Sequence, residues 1–338
     1  MDERKVFRKN FVYNDCCDSV YFNAYKDGVM AGRISGIIQR AANEKNKTRQ
    51  VRFTRFDVID DEEVARALFK AVEDWALAKG MDELVGPLSF SDLEREGLLI
   101  EGFDHPATFE ESYNHPYYQT FIENMGFQKE VDWTGSYLRA PADDHGEVDK
   151  LADFVMKRYH LHIGTARNTN EFIKRYADGI FELIDKSYDL LYGTVPFTEG
   201  MKKMMIDNFK LVVDMENVAV ILDENDRMIC FGIAFPAIGD AVRPSGGRLT
   251  PSALIRLLKT IRKSSVIDLG LIGVDPEWLN RGVSVIVSAG LMRMLQRPEV
   301  LYADTNLNLE ENYAIQNQWK RFDETKVKRY RCYSKKLI

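Results

Sequence analysis

Apolar and polar positions fall into short runs along this chain, and the runs form two similar series. VYFNAY (20–25) and VMAGRISGII (29–38) flank Lys26-Asp27-Gly28. Two β-rich runs around an Asp-Gly turn predict a hairpin. A third strand, VRFTRFDVI (51–59), follows. The period then changes. Val64, Leu68, Val72 and Trp75 recur at three-to-four spacing, which predicts a helix over 61–79. Asp60 and Glu63 make a capping-box pattern at its start. A strand near 83–88, a helix near 116–125 and a strand near 131–138 complete the first series.

The second series repeats the order. VAVIL (218–222) and MICFGIAF (228–235) flank Glu224-Asn225-Asp226, and a helix at 252–263 is inserted after them. VIDLGLIGV (266–274) is the third strand. A helix over 281–296, a strand over 300–306, a helix over 311–321 and a strand over 326–334 follow. Helices near 171–190 and 199–213 precede the set. A helical crossover between strands implies parallel pairing, and the hairpins add antiparallel strands. The expected fold is therefore α/β, a mixed sheet flanked by helices, built twice in tandem. Ala140 to Glu147 (APADDHGE) has no periodicity and reads as the linker, which sets the domains at 1–145 and 146–338.

A length of 338 residues suits two cores. The charged N-terminus has no apolar h-region, and no apolar run is long enough for a membrane span. Cys16, Cys17, Cys230 and Cys332 show no metal-ligand spacing, so no metal is expected and a reduced, cytoplasmic protein is. A net charge of −6 argues against bulk nucleic-acid binding. The charge is uneven: Lys320 to Lys336 holds eight Lys or Arg. That run reads as a solvated terminal strand and helix, or as an anion site for a phosphate or a lipid surface.

The turn after the third strand differs between the series. In the second it is VDPEWLNRGVS (274–284), entering a helix at once, with no Asp or Glu from Trp278 through Pro298. Unpaired amides and a positive dipole make such a helix start an anion site, and Gly282 lets a phosphate approach the backbone. In the first series the turn is DVIDDEEV (57–64), whose carboxylates would repel a phosphate.

Val274-x-Pro276-Glu277-Trp278-x-x-Arg281-Gly282-Val283-Ser284 resembles the pyrophosphate-binding segment of GNAT acyltransferases. Leu279 stands where that family has Arg or Gln, and Ser284 where it has Gly or Ala. Glu310-Glu311-Asn312 followed by Trp319-Lys320-Arg321-Phe322 resembles the family's next helix, with Trp319 in the place of its usual Tyr acid. The two-domain plan is similar to N-myristoyltransferases and Fem-type peptidyltransferases. GPLSFSD (86–92) with YNHPYY (113–118) resembles a bacterial subgroup that includes long-chain acyltransferases of the ceramide synthase kind.

The resemblance implies an acyl-CoA-dependent N-acyltransferase, with acetyl-CoA or a longer acyl-CoA as co-substrate. The acceptor would be a small-molecule or lipid amine, with peripheral membrane contact allowed and oligomeric state open. It implies CoA contacts at Gly273, Val274, Leu279, Asn280, Arg281, Gly282, Val283, Ser284 and Asn312. A backbone amide at Gly273 or Val274 would polarise the thioester carbonyl. Glu277 and Glu310 are candidate bases, although each also suits a helix start. Tyr313, Tyr330 and Tyr333 are candidate acids that equally suit packing. Phe90, His105, Tyr113, His115, Tyr117 and Tyr118 lie on the long segment 86–118, and either line an acceptor pocket or seal the seam between halves. The rival expectations are a non-catalytic acyl-CoA binder, and a Fem-like transferase using aminoacyl-tRNA.

Overall fold

The computed structural model of the chain describes residues 3–142, 146–189, 191–210 and 212–337. Part of the Ala140–Glu147 linker, residues 143–145, thus lies outside the described residues. The first series folds as β1 (Cys17–Lys26), β2 (Val29–Gln39), α1 (Arg40–Asn46), β3 (Gln50–Val58), α2 (Glu62–Ala78), β4 (Glu83–Gly86), β5 (Leu98–Glu101), α3 (Tyr117–Asn124) and β6 (Gln128–Arg139). Next come α4 (Glu147–Arg158), β7 (His162–Ile163), α5 (Thr169–Tyr188) and α6 (Glu199–Phe209). The second series gives β8 (Val218–Leu222), β9 (Met228–Pro236), α7 (Gly239–Val242), α8 (Pro251–Arg262) and β10 (Val266–Val274). It ends with α9 (Ser284–Leu295), β11 (Tyr302–Asp304), β12 (Asn308–Leu309), α10 (Tyr313–Trp319) and β13 (Asp323–Lys336).

The local signals act as their chemistry dictates. Asp27 and Gly28 both take positive φ, 52° and 78°, as a tight two-residue hairpin turn requires. On α2, Val64, Leu68 and Val72 are buried. The cap is Asp61 rather than Asp60; its carboxylate accepts from the amides of Glu63 (3.0 Å) and Val64 (3.4 Å). The predicted 281–296 helix is shorter. Pro276–Arg281 forms a 3₁₀ turn, Gly282 reverses to φ 72°, and α9 starts at Ser284.

The described strands join one mixed sheet, whose main path runs β1-β2-β3-β4-β13-β6-β11-β10-β9-β8-β7, with β5 paired to β13 and β12 to β6 off that path. The order reads almost the same from either edge, about the antiparallel pair β13 and β6. The last strand of each series has crossed to the other: β13 pairs with β4, and β6 with β11. Each half is completed by the other's strand.

Lys320–Lys336 does form the end of a helix and a terminal strand, but the strand is not wholly solvated as expected. β13 is a central strand, and most of its cations are spent. Lys328 is buried against Glu111 and Asp304, and Arg331 pairs with Asp132. Lys335 pairs with Glu73, and Lys336 with Glu83. Among the described residues no helix is long and apolar enough to cross a membrane.

Candidate active site

In each half a parallel pair starts together and then parts. β3 and β4 register over Gln50–Arg52 and Glu83–Val85, and β10 and β11 over Val266–Asp268 and Tyr302–Asp304. β10 continues past β11 to Val274, still paired with β9, and exposes its other edge. A cleft of about 1050 Å³ opens there, at the upper end for a small-molecule site. Leu269 to Ile272 and Val274 of β10 line it, with Val287, Ser288 and Leu291 of α9 and Asn312, Ile315 and Trp319 of α10. The first half supplies Asp92, Glu96, Phe109 and Glu110, and α5 and α6 supply Tyr188, Met204, Met205 and Phe209.

Asn306 ties this junction together. It follows β11 with a left-handed φ of 57°, a conformation Asn tolerates. Its side-chain amide donates to the Glu110 carboxylate and, at 3.4 Å, to the Leu269 carbonyl of β10; its Oδ1 accepts from the Thr108 hydroxyl at 2.8 Å. A first-half loop is thereby pinned where β10 leaves β11. Gly102 lets that loop lie on β13, since a Cβ there would sit 2.1 Å from the Val327 carbonyl oxygen. Burial raises Glu110, the Asn306 hydrogen bond opposes it, and the Glu111 charge adds, so the carboxyl is pushed up to about 7. Behind it, Asp268 pairs in register with Asp304 and is pushed up to about 8, first by burial and then by Asp304, Glu110 and Glu111. Glu96 lies well above the usual carboxylate range through burial and the Asp92 charge, and burial raises Asp92 as well. The Tyr188 hydroxyl donates to the Ile272 carbonyl at 2.9 Å, and burial raises it, so it stays protonated.

The sequence-predicted residues divide. Val274, Leu279 and Asn312 face the cleft, and Asn312 also caps α10 by accepting from the Ile315 amide (3.3 Å). Gly273 instead is buried against the Phe231 ring, where a Cβ would come within 2.4 Å of a ring carbon. Asn280, Arg281 and Gly282 are exposed, and the Arg281 guanidinium lies 4.4 Å from the Trp278 ring centre. Val283 is buried, and no side chain caps α9 at Ser284. The amides of Val285 and Ile286 turn back to the Gly282 and Val283 carbonyls. The start of α2 is different: Asp61 occupies it and pairs with Lys26.

Of the catalytic candidates, Glu277 is exposed and faces Arg227 (3.7 Å). Glu310 pairs with Lys129 and accepts from the Asp132 amide. Tyr313 is exposed and outside the cleft lining. Tyr330 donates to the Ser112 carbonyl, and Tyr333 is buried and donates to Glu123. Of the six candidates on the 86–118 segment, Tyr113 lines the cleft and the other five do not. Phe90 stacks on Tyr13 in the core, His115 stacks on Tyr117, and His105 meets the edge of Tyr137. Tyr117 and Tyr118 donate to the Val58 carbonyl. Trp319 does line the cleft. The residues missed from sequence are Glu110, Asn306, Asp268 and Tyr188. A single buried carboxylate leaves no periodic trace, and the only pointer to Glu110 was the unusual length of its segment.

No family model matches the chain. A tandem GNAT protein from the clavulanic acid biosynthesis pathway superposes with a TM-score of 0.50 at 12% identity, covering 96% of this chain and 84% of that one. The chain has the tandem GNAT fold. A GCN5-related glucosamine N-acetyltransferase region of a fungal multi-domain β-N-acetylglucosaminidase shares the GNAT fold, with a TM-score of 0.55 at 12% identity over 94% of this chain and 33% of that one. In sequence, the chain is 28% identical over 324 residues to Protein YghO of Escherichia coli (strain K12), covering 93% of this chain and 81% of that protein. It is 25% identical over 327 residues to the Bacterial ceramide synthase of Caulobacter vibrioides, covering 94% and 83%. Among the described residues no group of His, Cys, Asp and Glu is arranged to hold a metal ion.

Proposed function

We propose that the protein transfers an acyl group from an acyl-CoA thioester to an amine in this cleft. The observation that carries the reading is Glu110, a carboxyl pushed up to about 7 and held at the point where β10 leaves β11. A group with that affinity for protons takes a proton from an ammonium or amine near neutral pH. The donor lies along the free edge of β10, with its phosphates at the uncapped start of α9, which has no acid in its first turn. The amine attacks the thioester carbonyl, Glu110 takes the amine's proton, and the C–S bond breaks as the CoA thiolate leaves. Tyr188, at the end of α5 and protonated against the Ile272 carbonyl of the donor strand, supplies the thiolate's proton. Asp92 and Glu96 give the first-half side of the cleft carboxyl groups that burial holds toward the neutral form, suited to hydrogen-bonding a polar acceptor.

The acyl group is long. Met204, Met205 and Phe209 make an adaptable apolar wall that an acetyl group would leave empty. The relative named Bacterial ceramide synthase favours the same chemistry. Isothermal titration with acetyl-CoA and a long-chain acyl-CoA tests the donor, and thiol release over a panel of primary amines tests the transfer. The long-chain thioester binds more tightly. Gly282→Asp weakens both by about tenfold or more, because a carboxylate then stands beside the phosphates. No binding of either thioester, or unchanged binding in Gly282→Asp, overturns the reading.

A further inference from the structure

The chain has a net charge of −6, yet residues 241–265 carry Arg243, Arg248, Arg256, Lys259, Arg262 and Lys263 and no acid. These cations surround α8, which is pre-formed. Thr250 caps it by accepting from the Ala253 amide at 3.2 Å, and Pro251 opens its first turn. The helix buries only Ala253. Its outer face is apolar: Leu254, Ile255 and Leu258 are 43%, 57% and 52% exposed, and Leu249 just before it is 68% exposed. Leu254, Ile255, Leu258 and Ile261 fall within a sector of about 120° at 3.6 residues per turn. Lys259 borders that sector, and Arg262 and Lys263 close its C-terminal end. An apolar stripe left in water costs free energy, and one ringed by cations is complementary to an apolar layer with an anionic surface.

We infer that α8 is a membrane-docking helix that lies in the headgroup layer of an anionic bilayer. Leu254, Ile255 and Leu258 enter the acyl boundary, while the long basic side chains reach up to the phosphates. Charge decides against the other occupants. Asp240 pairs with Arg243, and Arg256 donates to the Ala241 carbonyl, but a second copy would still bring Lys259, Arg262 and Lys263 against the same three cations, and a nucleic-acid backbone has no use for the apolar centre. Residues 263–265 join α8 to β10, so docking turns the Val266 end of the cleft strand toward the membrane. The inference does not rest on acyl transfer and holds for any ligand of the cleft.

Flotation of the full chain with vesicles of phosphatidylcholine, alone or with about one-third phosphatidylglycerol, tests it. The protein floats with the anionic vesicles, not with the neutral ones, and less at high salt. The triple variant Leu254→Ser, Ile255→Ser, Leu258→Ser and the triple variant Lys259→Glu, Arg262→Glu, Lys263→Glu each lower the bound fraction about tenfold or more. Both change exposed positions, and an unchanged melting temperature shows that they fold. Absence of flotation with anionic vesicles overturns the inference, as does equal flotation of either folded variant. So does a wild-type dimer that the serine variant dissociates while vesicle binding persists.

Discussion

Glu110→Gln lowers amine acylation by about a hundredfold or more, while acyl-CoA titration is nearly unchanged. The substitution keeps an oxygen for Asn306 to donate to and the same shape, so the tie to β10 survives. Only the ability to take a proton is lost. In the wild-type protein kcat/KM rises with pH and levels off above about 7, where Glu110 is ionised; the variant's residual rate lacks that limb. Stability gives a second readout with its own sign. The folded carboxyl titrates above the unfolded one, so the native state holds the extra proton. The native state therefore loses stability as pH rises from the unfolded value of 4.5 through about 7. Gln does not ionise, so the variant melts higher than wild type at pH 8, by an amount worth at most about 3 kcal/mol, and the two converge near pH 4.5. A variant with full activity leaves Glu110 a structural ligand of Asn306 and removes the base from the proposed reaction.

The period of the chain made its elements legible, because each signal is local. The hairpin turn at Asp27-Gly28, the buried face of α2 and the uncapped start of α9 need only neighbouring residues. The exchange of β13 and β6 is not local. An alternating strand has the same pattern whichever sheet receives it, and the only trace was a run of cations too dense for a free tail. Of their partners, Glu73, Glu83, Glu111 and Asp132 belong to the first half, and Asp304 to the second. The same distance hid the chemistry. Glu277 and Glu310 lie near the phosphate-loop motif in sequence, but ion pairs face them elsewhere. Glu110 is 196 residues from Asn306 and meets it only once the two halves share a sheet.

Lys328→Met destabilises the whole protein by about 3–5 kcal/mol, because it leaves buried charges without their partner. The Lys328 side chain is 1% exposed, and it donates to Asp304 at 2.9 Å and to Glu111, whose side chain is 0% exposed. Burial works against the ammonium, but Asp304 and Glu111 outweigh it and hold Lys328 above its ordinary value. Without the cation, Asp304, Glu111 and the already raised Asp268 face one another in a dry interior. Glu111 and Asp268, already raised by burial, lose the cation that opposed the rise, so the deficit is small near pH 5 and widens as pH rises to 8. Melting curves at both pH values measure the gap. Because β13 lies between β4 and β6, the two halves lose structure in one transition rather than two. Removing the carboxylates as well, in Lys328→Met with Glu111→Gln and Asp304→Asn, recovers most of the loss. A gap that is flat with pH, or a triple variant no more stable than the single one, assigns Lys328 to packing alone. Recovery in the triple variant instead shows that the charge closes the seam where the halves exchange strands, directly behind Glu110.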